Sequence, residues 1–164
     1  MKLYHGTNQD IETINLNYGH RYKDFGQGFY LTDDIQTARR MAEKKARLFG
    51  GTPTLITYEF DQSVFSDPSF RIKIFPTKAT AEWLKFIDRN RDRKQAPAIQ
   101  EYDIIRGPIA DDGVVLQMND YHEGLRTAEE AAIGLQDKFL DQQYYFGTPK
   151  ALSAIKKTDV CIVK

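Results

Sequence analysis

Short runs rich in β-branched and aromatic residues recur along this chain, separated by helical stretches in no regular strand–helix rhythm. This constrains the fold most, because a parallel βαβ sheet needs a helical crossover after nearly every strand. Residues 2–5 read as an opening strand, and residues 25–32, FGQGFYLT, as a glycine-rich turn feeding an aromatic strand. Asp33 or Asp34 can cap a helix carrying Ile35, Ala38, Met41, Ala42 and Ala46 at helical spacing, and Gly50-Gly51 stops it. TLITYEF at 54–60 and FRIKIF at 70–75 are strand-like, the second with Phe70, Ile72 and Ile74 on one face. A helix is expected over 77–90 with Trp83, Phe86 and Ile87 inward. Thr127 and Glu130 have capping-box spacing, opening a helix through Ile133, Leu135 and Phe139. Residues 143–146 form a short strand, Thr148-Pro149 starts a helix, and DVCIVK closes the chain as a strand. The reading is one α+β domain over residues 1–164 with mostly antiparallel pairing.

Composition narrows the class further. A chain of 164 residues, 41% hydrophobic and 28% charged, suits a globular domain. No apolar run approaches the ~20 residues of a membrane span, and MKLYHGT lacks a signal peptide's apolar stretch. With one cysteine, Cys161, the expected setting is a reducing cytoplasm. The net charge is zero, which argues against a bulk polyanion binder. That zero hides three unequal segments: residues 1–100 hold 16 basic and 12 acidic residues, 101–141 hold 3 and 10, and 142–164 hold 4 and 1. The acidic block fits a solvated face, a cation site or a surface for a basic partner.

Several chemistries are absent as motifs. His5, His20 and His122 lack close metal spacing, and there is no HExxH, CxxC, GxSxG, Walker or Rossmann pattern. Three elements remain. His5-Gly6-Thr7 ends the first strand, where an imidazole can meet a ligand and a glycine lets atoms approach the backbone. In 25–32, Gly26 and Gly28 precede Phe29 and Tyr30, a bare backbone beside rings that can stack. In 142–148, QQYYFGT, polar side chains open an aromatic strand. Singly, these also fit a turn histidine, a bulged hairpin with core aromatics, and a strand edge with solvent-facing glutamines.

Together they resemble the ADP-ribosyltransferase superfamily, in its branch with a His-Tyr-Glu type triad. The pieces LYHGT at Leu3, DFGQGFYLT at Asp24, YDIIRGPIADD at Tyr102 and QYYFGTPKAL at Gln143 are similar to a bacterial family of the DUF3990 type. These blocks span nearly the whole chain. The resemblance implies split antiparallel β-sheets with flanking helices, and NAD as co-substrate with no metal. It implies transfer of ADP-ribose to a macromolecular target, as a bacterial toxin with a small antitoxin partner. By the same resemblance, His5, Tyr30 and Gln143 are the catalytic positions. His5, Gly6, Thr7, Gly28, Tyr30 and Asp111 are expected to bind NAD. His5 would meet ribose hydroxyls on the adenine or nicotinamide side, Thr7 nearby polar groups, Gly6 the nicotinamide carboxamide, Tyr30 the ring, and Gln143 the nicotinamide-ribose 2′-hydroxyl.

The departure from the superfamily's triad is Gln143 where a glutamate is expected. An amide hydrogen-bonds a hydroxyl but carries no charge and cannot act as a base. Asp111 and Asp112 are second candidates for that task, or else a helix-cap pair. Arg106, Asn90 and Arg91 are candidates for phosphate or target contacts. The alternative reading is a non-catalytic NAD- or nucleotide-binding domain of the same fold. A third is a nucleic-acid module using Arg39, Arg40, Lys44, Lys45 and Arg47 with Lys85, Arg89, Arg91, Arg93 and Lys94. Glu43, Asp88 and Asp92 interrupt those basic runs, which fits a solvated helix better.

Overall fold

A computed structural model describes residues 1–164 as a mixed α+β fold with one seven-stranded sheet and five α-helices. The first strands are β1 (Lys2–Thr7) and β2 (Phe29–Thr32), followed by α1 (Ile35–Phe49) and β3 (Thr54–Phe60). Then come β4 (Ile72–Ile74), α2 (Ala81–Arg91), β5 (Ile104–Pro108), α3 (Asp112–His122) and α4 (Ala128–Ile133). The chain closes with β6 (Gln142–Phe146), α5 (Pro149–Leu152) and β7 (Ile155–Ile162). The strand order is β4-β5-β6-β2-β1-β3-β7, antiparallel throughout except for the β4–β5 pair.

The expectation of split sheets meets a single one. Its two halves join across β1 and β2 by one registered pair, Tyr4 with Thr32, whereas β1 and β3 pair along six residues. A seam therefore opens between β1 and β2 beyond Tyr4. Alternation divides the core into two clusters. One holds Phe25, Trp83, Leu84, Ile105, Val114 and Tyr145, under α2, α3 and α4. The other holds Leu3, Phe29, Ile56, Phe60, Tyr144 and Phe146.

Local signals explain most elements. Asp34 accepts from the Gln36 N–H to cap α1, and Thr127 with Glu130 forms the reciprocal capping box of α4. Two elements, β5 and α3, arise in the stretch that sequence patterning left without assignment. The helix expected through Leu135 and Phe139 stops at Ile133, since Leu135 and Leu140 turn into the core while Phe139 faces solvent. Likewise Ile74 is exposed and Phe75 buried, because the chain leaves β4 there and turns its ring inward.

Gly6 is demanded by packing. A Cβ there would lie 2.7 Å from the Ala42 nitrogen and closer still to the Ala38 carbonyl oxygen, so α1 rests directly on the bare backbone of β1. Asp103, 4% exposed, ties the other half together by accepting from the Arg71 N–H and guanidinium and from the Thr148 hydroxyl. Burial alone would raise its carboxyl, but these bonds win and hold it at about 2. Three carboxylates of the acidic segment meet the basic first segment: Asp103 pairs with Arg71, Glu129 with Lys85, and Asp141 with Arg40. No helix is long and apolar enough to cross a membrane.

Candidate functional site at the β1–β2 seam

β6, β2 and β1 are neighbours in the sheet, so Gln143, Tyr30 and His5 come from three adjacent strands. Their side chains do not share a face. Tyr30 pairs with Tyr145 and Thr32 with Gln143, which places Tyr30 and Gln143 on the side of the Tyr145 cluster. The His5 ring stacks on Phe29, on the other side, at 4.6 Å between centroids. The imidazole nevertheless reaches the seam, where Nδ1 lies 2.8 Å from the Tyr30 carbonyl oxygen. A ligand meeting all three residues must lie in that seam.

The His5 bond sets its chemistry. A carbonyl oxygen only accepts, so Nδ1 carries the proton and Nε2 is left as an acceptor. Burial first, then the charge of Lys45, pushes the imidazole down to about 3 against the opposing Tyr30 bond, with Lys23 adding to the fall. His5 is therefore neutral at physiological pH, an acceptor suited to a hydroxyl and not a cation suited to phosphate.

Tyr30 is held by the loop ahead of it. Its hydroxyl donates to the Gly26 carbonyl at 2.5 Å and accepts from the Phe25 N–H at 3.1 Å. Loss of solvation raises its pKa well above that of free tyrosine, so it stays protonated. The Lys23 ammonium lies 5.0 Å from the centre of its ring. Lys45 belongs to the face of α1 that carries buried Ala38 and Ala42, at i+7 and i+3 from them. Burial and the neighbouring Lys23 bring Lys45 down to about 8. Sequence patterning had placed Lys45 among surface basic residues; its spacing from the two alanines was the available signal.

Gln143, 7% exposed, donates its Nε2 hydrogens to the Asp24 carboxylate at 2.9 Å and to the Pro108 carbonyl at 2.9 Å. Asp24 also pairs with Arg91 at 3.3 Å and accepts from the Ala110 N–H at 3.4 Å. Asp24 and Lys23, like Lys45, are site residues that sequence reasoning missed, although Asp24 begins the quoted DFGQGFYLT block.

The remaining candidates take other places. Thr7 is buried at the end of β1, opposite Thr54. Gly28 is required by the core, since a Cβ there would collide with the Tyr145 ring and lie 2.8 Å from the Phe146 carbonyl oxygen. At Gly6 and Gly28 alike, the atoms using the bare backbone are the protein's own. Asp111 caps α3 by accepting from the Val114 N–H at 3.0 Å and pairs with Lys138 at 2.9 Å, while Asp112 begins the helix. Asn90 is buried and donates to the Phe86 carbonyl, and Arg106 lies beside the Tyr144 ring, away from Tyr30. Arg91 alone of that trio reaches the site, through Asp24.

Residues 1–157 match the sequence profile of a family described as a protein of unknown function, DUF3990. The chain belongs to the DUF3990 family. No curated protein and no solved structure matches it. In this DUF3990 protein a cavity of about 560 Å³ opens elsewhere, beside Gln142, with Asp33, Asp34, Asp137 and Asp141 against Lys78 and Lys138. Four carboxylates disfavour a phosphate-bearing ligand there, whereas at the seam Lys23 and Lys45 stand with a single carboxylate, Asp24.

Proposed function

We propose that this DUF3990 protein is an ADP-ribosyltransferase-like enzyme that cleaves the nicotinamide glycosidic bond of NAD and transfers ADP-ribose to a macromolecular target. The observation that carries the reading is the neutral His5, its Nδ1 bonded across the seam to the strand of Tyr30 so that Nε2 is left to accept. That arrangement suits a ribose hydroxyl beside an aromatic ring.

NAD is the substrate, and the donor set suits its parts. Nε2 of His5 accepts from a ribose hydroxyl, and the Tyr30 ring stacks on nicotinamide. Lys23 and Lys45 face the pyrophosphate, two charges on two. The Gln143 carbonyl oxygen, unused by its bonds to Asp24 and Pro108, accepts from the nicotinamide-ribose hydroxyl. Loss of nicotinamide leaves positive charge on the ribose, so orientation and electrostatic stabilisation are the protein's main tasks. The sequence resemblance extends the proposal to a bacterial toxin held by a small antitoxin.

The test is nicotinamide release from NAD by the purified protein against a His5→Ala/Tyr30→Ala variant. Equal release by both overturns the reading. A second reading, a domain that binds the dinucleotide without cleaving it, is favoured by the uncharged Gln143. Calorimetric binding of NAD with no nicotinamide released, whatever target is supplied, selects it.

A further inference from the structure

We propose that Asp24 is the acidic group of the seam site, supplying from the loop before β2 the negative charge that Gln143 cannot carry. The assignment rests on the NAD-cleaving reading above.

The argument begins with the Gln143 amide. Its Nε2 faces two acceptors, the Asp24 carboxylate and the Pro108 carbonyl, each at 2.9 Å. Both amide hydrogens are used, which settles the amide's orientation. A glutamate at position 143 would set its carboxylate against another carboxylate and a carbonyl, with no proton among them. Asp24 and Gln143 are thus complementary: a carboxylate on the loop requires an amide on β6. The Asp24 side chain is only 15% exposed and stays oriented by Arg91 at 3.3 Å. It is also coupled to the ring that stacks on the ligand. The next residue, Phe25, donates its N–H to the Tyr30 hydroxyl, and the Asp24 charge is among the influences that raise that phenol.

The step balances without a cofactor. The bond between ribose C1′ and the nicotinamide nitrogen breaks, and its electron pair leaves with neutral nicotinamide. A lone pair of water or of the target forms the new bond to C1′, and the proton that group loses passes to solvent. Asp24 takes no part in the proton transfer, and its carboxylate stabilises the ribose cation. Arg91 is a positioning residue, acting through Asp24.

Four proteins test this: wild type, Asp24→Asn, Gln143→Glu and the Asp24→Asn/Gln143→Glu double variant. Each is assayed for nicotinamide release at saturating NAD, for NAD affinity by calorimetry and for melting temperature. Asp24→Asn, which keeps an acceptor for Gln143, is expected to lower kcat about 100-fold, the scale of losing one preorganised electrostatic group, with affinity nearly unchanged. Gln143→Glu alone is expected to lose activity and melt earlier. The double variant, with the charge moved to β6, is expected to recover turnover to within about tenfold of wild type. Wild-type kcat in Asp24→Asn overturns the assignment, as does a double variant that recovers nothing. Gln143→Glu that melts like wild type and turns over as fast overturns it too. A wild-type protein that releases no nicotinamide overturns the NAD-cleaving reading itself, whereas turnover that survives Asp24→Asn removes the assignment alone.

Discussion

Two segments of this molecule set an aspartate and a glycine at the start of a regular element, and they do different work. Ahead of β2, the stretch Lys23–Gly28 buries Asp24 against Gln143 and Arg91, ties its backbone to the Tyr30 hydroxyl and seats Gly28 on the Tyr145 ring. At the start of α3, Asp111 caps the helix and pairs with Lys138, and Gly113, the second helical residue, faces that flexible ammonium, with the Asp111 carboxylate at ordinary contact distance. Asp24 makes its side-chain bonds to β6 and α2, far along the chain, while Asp111 caps the helix it adjoins. An acidic residue beside a glycine therefore says little about chemistry until its partners are known.

The largest break in this comparison is at the glycines. Gly28→Ala drives a Cβ into the Tyr145 ring and towards the Phe146 carbonyl, neither of which can yield. A loss of about 3 kcal/mol or more in denaturant unfolding is expected. Gly113→Ala displaces only the Lys138 ammonium, and a helix gains from alanine, so stability is expected to change by under about 1 kcal/mol. Equal losses would erase the distinction.

Next come the carboxylates. Asp24→Asn is expected to cost about 100-fold in nicotinamide release, while Asp111→Asn, still a good cap, is expected to leave release within about twofold. Similar losses in both would return Asp111 to the site. Asp111→Ala should instead show itself in stability, by about 1 kcal/mol for a lost cap, measured by chemical denaturation.

The smallest effect is in pH. His5, lowered to about 3, stays neutral from pH 5 to 9 and contributes no titration to activity there. Lys45 is charged below about 8 and loses its proton as pH rises through that value. NAD affinity should accordingly weaken by roughly threefold to tenfold between pH 7 and 9, and Lys45→Ala should flatten the profile. Affinity that rises over that range would remove Lys45 from the phosphate side.

Much of this was legible in the chain. Capping chemistry marked α1, α4 and α5, since Asp34, Thr127 and Thr148 each bond a backbone N–H two or three residues ahead, a local event. TLITYEF became β3 with the expected bounds. β5 and α3 were not legible, because α3 buries only Val114 and Met118 and so lacks a clear apolar stripe. His5, Tyr30 and Gln143, singled out by their motifs, lie on the neighbouring strands β1, β2 and β6, an adjacency that only the sheet order reveals.

The sequence by itself determined which residues could be chemical, because histidine, tyrosine and amide side chains carry their donor and acceptor groups wherever they are placed. It also determined the neutral sum of charges, though not that the acidic segment pairs with basic residues far along the chain, as Asp103 does with Arg71. Only the tertiary structure decided the state of those groups. His5 is neutral because burial and two lysines act on it, and Gln143 is oriented because Asp24 and Pro108 both face its nitrogen. Protonation and orientation depend on what lies within a few ångströms, and that neighbourhood is assembled from residues as far apart in the chain as Asp24 and Gln143.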